Sequence, residues 1–252
     1  MVGYEQLAKM NTFTMDDVYA LVNNRKTASS LVMRLCKKGY VKKIRNNLYT
    51  CVNLADGQVI ASKYHIACAI NETSYISHHS AFEYMGMSNQ VFNEIVVSSS
   101  QRFTDFEFEG IKYKFVLSKF DAGVVLPKNT QGIRVTSLER TVVDSIKDFE
   151  RIGGLEEMLN CITSIRHFDE AHMLEYLNEY GIQYLYQKTG YILEHYKNQF
   201  QVSDEFLDHC KSKIGKSTRY LTPESKKYCN EWKLIVPDNI FQLTEQGGLP
   251  LV

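Results

Sequence analysis

A chain of 252 residues is long enough for one large domain or two ordinary ones, and it can bury a substantial core. With 44% hydrophobic and 12% aromatic residues and only four prolines, its composition excludes extended disorder. The formal net charge is zero, yet residues 1–50 hold nine Lys/Arg against three Asp/Glu, a basic head on an acidic body that points to nucleic acid or an acidic surface as the head's partner.

In chain order, the first element is a short helix opened by Thr14 as cap, with Asp16 and Asp17 in its first turn, where the helix dipole favours anions. Val18, Leu21 and Val22 form its apolar stripe, and Asn23-Asn24 breaks the pattern. A second helix follows from Arg25 to Lys38, with Ala28, Leu31, Val32 and Leu35 on one face and Gly39 as the left-handed residue that ends it. Its other face carries Ser29, Ser30, Met33, Arg34 and Lys37, with Arg25, Lys26 and Thr27 at the start. Two short helices joined by a tight turn fit a helix-turn-helix, whose second helix offers N-terminal side chains to the major groove.

A hairpin comes next, Tyr40 to Arg45 and Leu48 to Val52, turning at Asn46-Asn47, because Asn tolerates the positive φ of tight turns. A two-residue loop sets Arg45 opposite Leu48 and Ile44 opposite Tyr49. Tyr40, Ile44, Tyr49 and Cys51 then face inward together with Lys42, and Lys43 and Arg45 face outward beside Thr50. The expected unit is a winged helix over residues 1–55. Arg25, Lys26, Thr27, Ser29, Ser30 and Arg34 are its candidate DNA contacts on the second helix; Lys43, Arg45 and Asn46 are those on the wing. Some winged helices bind protein instead.

Residues 56–252 are read as a larger α/β domain that ends in a helical region, so the whole chain is α/β (α+β). The pattern predicts a helix over 59–70, strands at 74–77, 94–98, 106–109, 111–116 and 133–136, and helices over 79–84, from Ser137, and over 155–165, 169–180, 183–197 and 203–213. A late strand, Glu231 to Val236, is expected to return to the main sheet. Tyr184, Tyr191 and Tyr196 are expected to form helix-packing surface.

The sequence holds fragments of catalytic and metal motifs, none of them complete. The stretch CKSKIGKST (210–218) ends like a phosphate-binding loop, but Cys210 stands where its first glycine belongs. SHHS (77–80) offers neither a third metal ligand nor an orienting carboxylate at a telling spacing, so Ser77 is expected to cap a helix. Glu224-Ser-Lys226 precedes Pro237-Asp238, the wrong order for a nuclease site. Arg140 and Asp144, four apart on one helix, are expected to pair. The six cysteines (36, 51, 68, 161, 210 and 229) form no Cys-x-x-Cys and are expected to be reduced thiols. No apolar run reaches the roughly 18 residues of a membrane span. MVGYEQLAKM has no signal-peptide core, so the cytoplasm is the expected compartment. No cofactor and no metal are expected.

SYISHHSAFEYMGMSNQVFNEIVVSS (74–99) and GIRVTSLERTVVDSIKDFERIGGLEEMLNCI (132–162) carry Ser80-Ala81 with Gly86, Glu139-Arg140-Thr141 with Asp144, and Gly153-Gly154 before a Leu-Glu-Glu helix. With Leu48-Tyr49 in the wing strand and QKTGYILE at 187–194, this order resembles the AbiEi family over nearly the whole chain. That family comprises antitoxins of abortive-infection systems that double as transcriptional regulators. The resemblance implies an N-terminal winged helix on inverted repeats upstream of its own operon, and a C-terminal domain that antagonises a nucleotidyltransferase-like toxin. Ser80, Glu139, Arg140 and Asp144 become candidates for toxin-facing or structural roles. Two alternatives stay open: a winged-helix regulator whose body senses a small ligand, and an antitoxin that modifies its toxin, for instance by phosphate transfer.

Overall fold

In the computed structural model, which describes residues 3–88 and 90–242, six α-helices start at a capping side chain. The head begins with helix α1 (Tyr4–Ala8) and a two-residue strand β1 (Thr12–Phe13), neither evident in the periodicity. Helix α2 (Met15–Val22) opens on a reciprocal capping box between Thr14 and Asp17, and it stops at Asn23, whose φ of 52° is left-handed. The side chain of Asn24 caps helix α3 (Arg25–Lys37) by accepting the Thr27 N–H at 3.0 Å. At the other end Gly39, at φ 73°, lets Tyr40 N donate back to the Leu35 carbonyl. Strands β2 (Val41–Arg45) and β3 (Leu48–Cys51) make the hairpin, and β1 joins the free edge of β3. Leu7, Phe13, Val18, Ala28, Leu35 and Cys51 fill the core beneath.

The hairpin departs from simple alternation. Arg45 does oppose Leu48, but Lys43 opposes Tyr49, because the register shifts between Lys43 and Arg45. Val41 and Ile44 are both buried, Val41 in the core of the head. Thr50, expected outward, is buried, donating its hydroxyl hydrogen to the Asn11 carbonyl at 2.7 Å, while Tyr40 and Tyr49 are half-buried and pack against the core of the head as expected.

The chain divides into two compact units that interleave along the sequence. The first takes residues 1–76, 93–119 and 126–134, so the 1–55 head lies inside it with three later pieces. Those pieces supply α4 (Lys63–Cys68), β4 (Tyr75–Ile76), β5 (Glu94–Ser99), β6 (Phe106–Phe108) and β7 (Ile111–Leu117). Here the strand order is β6-β7-β5-β4, with β5 and β7 parallel and both outer pairings antiparallel. Helix α4 is shorter than the expected 59–70 because Ser62 caps it, accepting the His65 N–H, while Val59 bridges to Val52.

The second unit takes residues 77–92, 120–125 and 135–252. It holds α5 (His78–Tyr84), the antiparallel pair β8 (Val124–Val125) and β9 (Val135–Thr136), and α6 (Leu138–Lys147) capped by Ser137. Then come α7 (Leu155–Thr163), α8 (Glu170–Tyr180), α9 (Gln183–His195), α10 (Lys197–Phe200) and α11 (Asp204–Ser212). Val142, Val143, Ile162, Met173, Leu193 and Trp232 are among the residues of its core. The predicted late strand exists as β12 (Leu234–Val236), but it does not return to the larger sheet. It sits between β10 (Arg219–Tyr220), parallel to it, and β11 (Lys227–Cys229), antiparallel, in a small sheet of its own. The architecture is thus mixed α and β, as the pattern implied. Among the described residues, no helix is long and apolar enough to cross a membrane.

Candidate nucleic-acid interface

Helix α3 separates its residues by physical character. Ala28, Leu31, Val32 and Leu35 are buried, and Arg25, Lys26, Thr27, Ser29, Ser30 and Arg34 are all exposed. The 3.6-residue period therefore places six polar or cationic side chains on the solvent side of one 13-residue helix. Arg25 is steadied by Tyr19 of α2, its guanidinium carbon lying 5.5 Å from the ring centroid. Tyr19 and the cap Asn24 are the supporting residues that periodicity did not mark; a tyrosine six positions before the first arginine was the available signal. Between α1, α2 and α3 runs a groove of about 370 Å³ with Leu21, Val22 and Leu31 on its apolar side and Thr27, Ser30 and Arg34 on its polar side.

The hairpin contributes less charge than its sequence promised. Lys43 and Asn46 are exposed, and Asn47 takes the positive φ of 56° while its side chain accepts the Met15 N–H at 3.0 Å. Arg45 does not face outward. Its guanidinium carbon lies 5.6 Å from the Phe103 ring centroid and 5.1 Å from that of Phe106, and its Nη1 is buried. Lys42, expected inward, is half-buried and held by Glu109 at 2.9 Å. Of the three wing cations, Lys43 is exposed and, among the described residues, forms no ion pair.

The second unit buries Ser80, Arg140 and Asp144 and leaves Glu139 half-buried. Asp144 Oδ1 accepts from Arg140 Nε at 2.8 Å and from the Tyr180 hydroxyl at 2.5 Å. Arg140 also donates to the Ala122 carbonyl at 2.6 Å, and its guanidinium carbon lies over Phe120, 3.8 Å from the ring centroid. Burial and the Asp144 charge push the Tyr180 phenol well above its ordinary value. Ser80 is buried within α5, and Glu139 accepts the Asp169 N–H at 3.1 Å. Ser77 occupies the N-cap position of α5, but its hydroxyl bonds the His78 ring at 2.8 Å instead of capping.

The fold does bring a carboxylate to His79, which its spacing in the sequence could not show. Glu157 lies 3.4 Å from His79 Nε2, and Ser88 Oγ is 2.8 Å from the same nitrogen. A nucleophile relay needs serine and acid on opposite ring nitrogens, so this trio is not one. Gly215-Lys216-Ser217 follows a helix and precedes a strand, the reverse of a phosphate-binding loop. All six cysteines are free, with Cys51, Cys161 and Cys210 buried. Among the described residues, no cluster of three or more His, Cys, Asp or Glu is placed to hold a metal.

No protein-family model matches the sequence, and no curated protein matches it. The fold is similar to the crystal structure of the Rv2827c protein from Mycobacterium tuberculosis, at a TM-score of 0.68 and 13% identity over 98% of this chain and 93% of that one. At that identity the likeness establishes the shared fold.

Proposed function

We propose that this chain is a DNA-binding repressor that also serves as the antitoxin of a toxin–antitoxin pair in the cytoplasm. Its head is read as a winged helix, with α3 in the major groove and Lys43 and Asn46 on the flanking phosphates. The observation that carries the reading is the division of α3: four apolar residues are buried, and all six candidate contacts are exposed. Arg25 and Lys26 are the side chains suited to guanine edges, and Thr27, Ser29 and Ser30 are versatile but weaker readers, so DNA shape shares the specificity. The order of motifs that resembles the AbiEi family supports inverted repeats upstream of its own operon as operator, and a nucleotidyltransferase-like toxin as partner. No catalytic step is assigned.

Gel-shift titration of the upstream promoter fragment against a scrambled duplex tests the DNA arm. Selective retardation, lost in Arg25→Ala/Lys26→Ala, is expected; equal affinity for both duplexes sinks the reading. Co-expression with the nucleotidyltransferase encoded alongside tests the antitoxin arm, with restored growth as the expected result.

A further inference from the structure

Within the acidic C-terminal half lies a second basic stretch, which the head's function does not use. Residues 211–233 hold seven Lys/Arg (211, 213, 216, 219, 226, 227 and 233) against Glu224 and Glu231. Two of the seven are engaged: Lys211 pairs with Glu194, and Lys233 donates to the Gly215 carbonyl. Lys213, Lys216, Arg219, Lys226 and Lys227 are exposed, and among the described residues none of these five forms an ion pair.

The same stretch builds the small sheet β10-β12-β11, and its register has a consequence. Tyr220 of β10 and Tyr228 of β11 both pair with Ile235 of the central strand. Directly paired residues point to one side of a sheet, so the three form a row across it. Leu234 and Val236, on the other side, are buried in the core, whereas Tyr220 is 58% and Tyr228 52% exposed. Two solvent-facing phenol rings thus flank an aliphatic residue, with Lys226 two residues before Tyr228; Arg219 and Lys227, paired with Leu234 and Val236, start from the other side of the sheet but are exposed on its two edge strands.

We propose that this sheet face binds single-stranded nucleic acid, with bases stacked on Tyr220 and Tyr228 and the strand's phosphates met by Lys226 and, from the two edges of the sheet, by the long side chains of Arg219 and Lys227. Exposed aromatics on a sheet among unpaired cations meet both needs of such a ligand, a π-surface for unpaired bases and positive charge for the backbone. A protein partner fits less well, because lysine is depleted in the cores of protein interfaces. The face is flat and its aromatics are two, so it is a platform for a short, sequence-tolerant contact. RNA and DNA single strands share this chemistry.

The test is fluorescence anisotropy of labelled twelve-nucleotide oligouridine and oligothymidine with the full chain at low salt. It is run in wild type and in Arg25→Gln/Lys26→Gln, so that binding by the head is separated from binding by the sheet. Binding is expected to survive the head substitutions and to weaken at least tenfold in Tyr220→Ala/Tyr228→Ala. Tyr220→Phe/Tyr228→Phe should keep it, since stacking needs the ring and not the hydroxyl. The ratio of the two oligonucleotide affinities tells which sugar the surface prefers. Emission from Trp232, the sole and fully buried tryptophan of this unit, reports whether the alanine variant is folded. If it is not, Lys226→Gln/Lys227→Gln decides: two lost phosphate contacts on a single strand should flatten the log–log salt dependence by about 1.4. Failure of both strands to bind, or undiminished binding by a folded alanine variant or by the glutamine variant, overturns the proposal.

Discussion

Arg140 and Asp144 form an ion pair, Nε to Oδ1 at 2.8 Å, with each side chain only 2% exposed. From sequence the pair reads as an ordinary i,i+4 contact on a helix surface, a matter of a few tenths of a kcal/mol. Burial changes that. Removing either partner leaves a charge inside the protein without its counter-charge, at a cost of about 3–5 kcal/mol. Arg140→Ala and Asp144→Ala should each lower the denaturant midpoint accordingly, and Arg140→Lys should not rescue. A lysine cannot lie over Phe120 while also reaching Ala122 and Asp144. Chemical unfolding of the three variants checks this.

The wing cations should separate in experiment as they do in space. Lys43→Ala is expected to weaken binding to all duplexes alike and to flatten the log–log salt dependence by about 1, the signature of one lost phosphate contact. Arg45→Ala should leave that slope unchanged and instead lower stability, because its guanidinium packs on Phe103 and Phe106. Salt titrations of promoter binding, paired with thermal melts, distinguish the two. A sequence-selective loss from Lys43→Ala would contradict the positioning role.

How much of this was legible in advance depends on the range of the interaction. The faces of α3 and its two ends follow from residues within four positions of each other, and periodicity reads them. The bulge between Lys43 and Arg45 is also local, but a bulge has no residue signature in VKKIR, so alternation set Ile44 opposite Tyr49 where Lys43 stands. Arg45 meets Phe103 and Phe106 from the other end of the unit, and no local pattern announces that. The small sheet was half visible: β12 is apolar enough to be read as a strand, but β10 and β11 are short, polar and exposed. Without them β12 had no visible partner except the larger sheet. The exposed tyrosines of that sheet carry no periodic signal, since their meaning lies in the shared pairing with Ile235.

Gly190 shows a glycine fixed by packing alone. It lies in the middle of α9 with ordinary helical backbone, where alanine would normally be preferred by about 1 kcal/mol. Trp232 occupies the space instead: a Cβ at position 190 would run into the indole, closer than real carbon contacts allow. Gly190→Ala should therefore destabilise by about 1–3 kcal/mol despite the better helix propensity. Trp232 emission should shift at the same time, as the ring is forced from its bond to Glu194. Equilibrium unfolding followed by tryptophan fluorescence reads both effects, and a stabilised Gly190→Ala would refute the account.

Lys188 makes folding sensitive to alkaline pH. Its ammonium is buried over Phe149 and Tyr184 and donates to the Lys147 carbonyl at 2.7 Å. Burial pulls it down to about 8 from the ordinary 10.5, against a smaller opposing pull from Asp148. Below about pH 8 both folded and unfolded chains hold this proton, and the group adds no slope. Between 8 and 10.5 the unfolded chain keeps a proton that the folded one has released, so this group's contribution to stability rises with pH, by up to about 1.4 kcal/mol per unit. The buried thiols Cys51, Cys161 and Cys210, pushed up by the same desolvation, work in the opposite sense above about pH 9. A raw pH profile therefore mixes the two, and the difference between wild type and Lys188→Met isolates the amine. Methionine fills the same space without the charge, so the variant should gain most on wild type near pH 7, and its advantage should shrink by about 2 kcal/mol between pH 8 and 9.5. Urea unfolding at four pH values measures it. A constant difference across that range would show that Lys188 titrates as an ordinary surface amine.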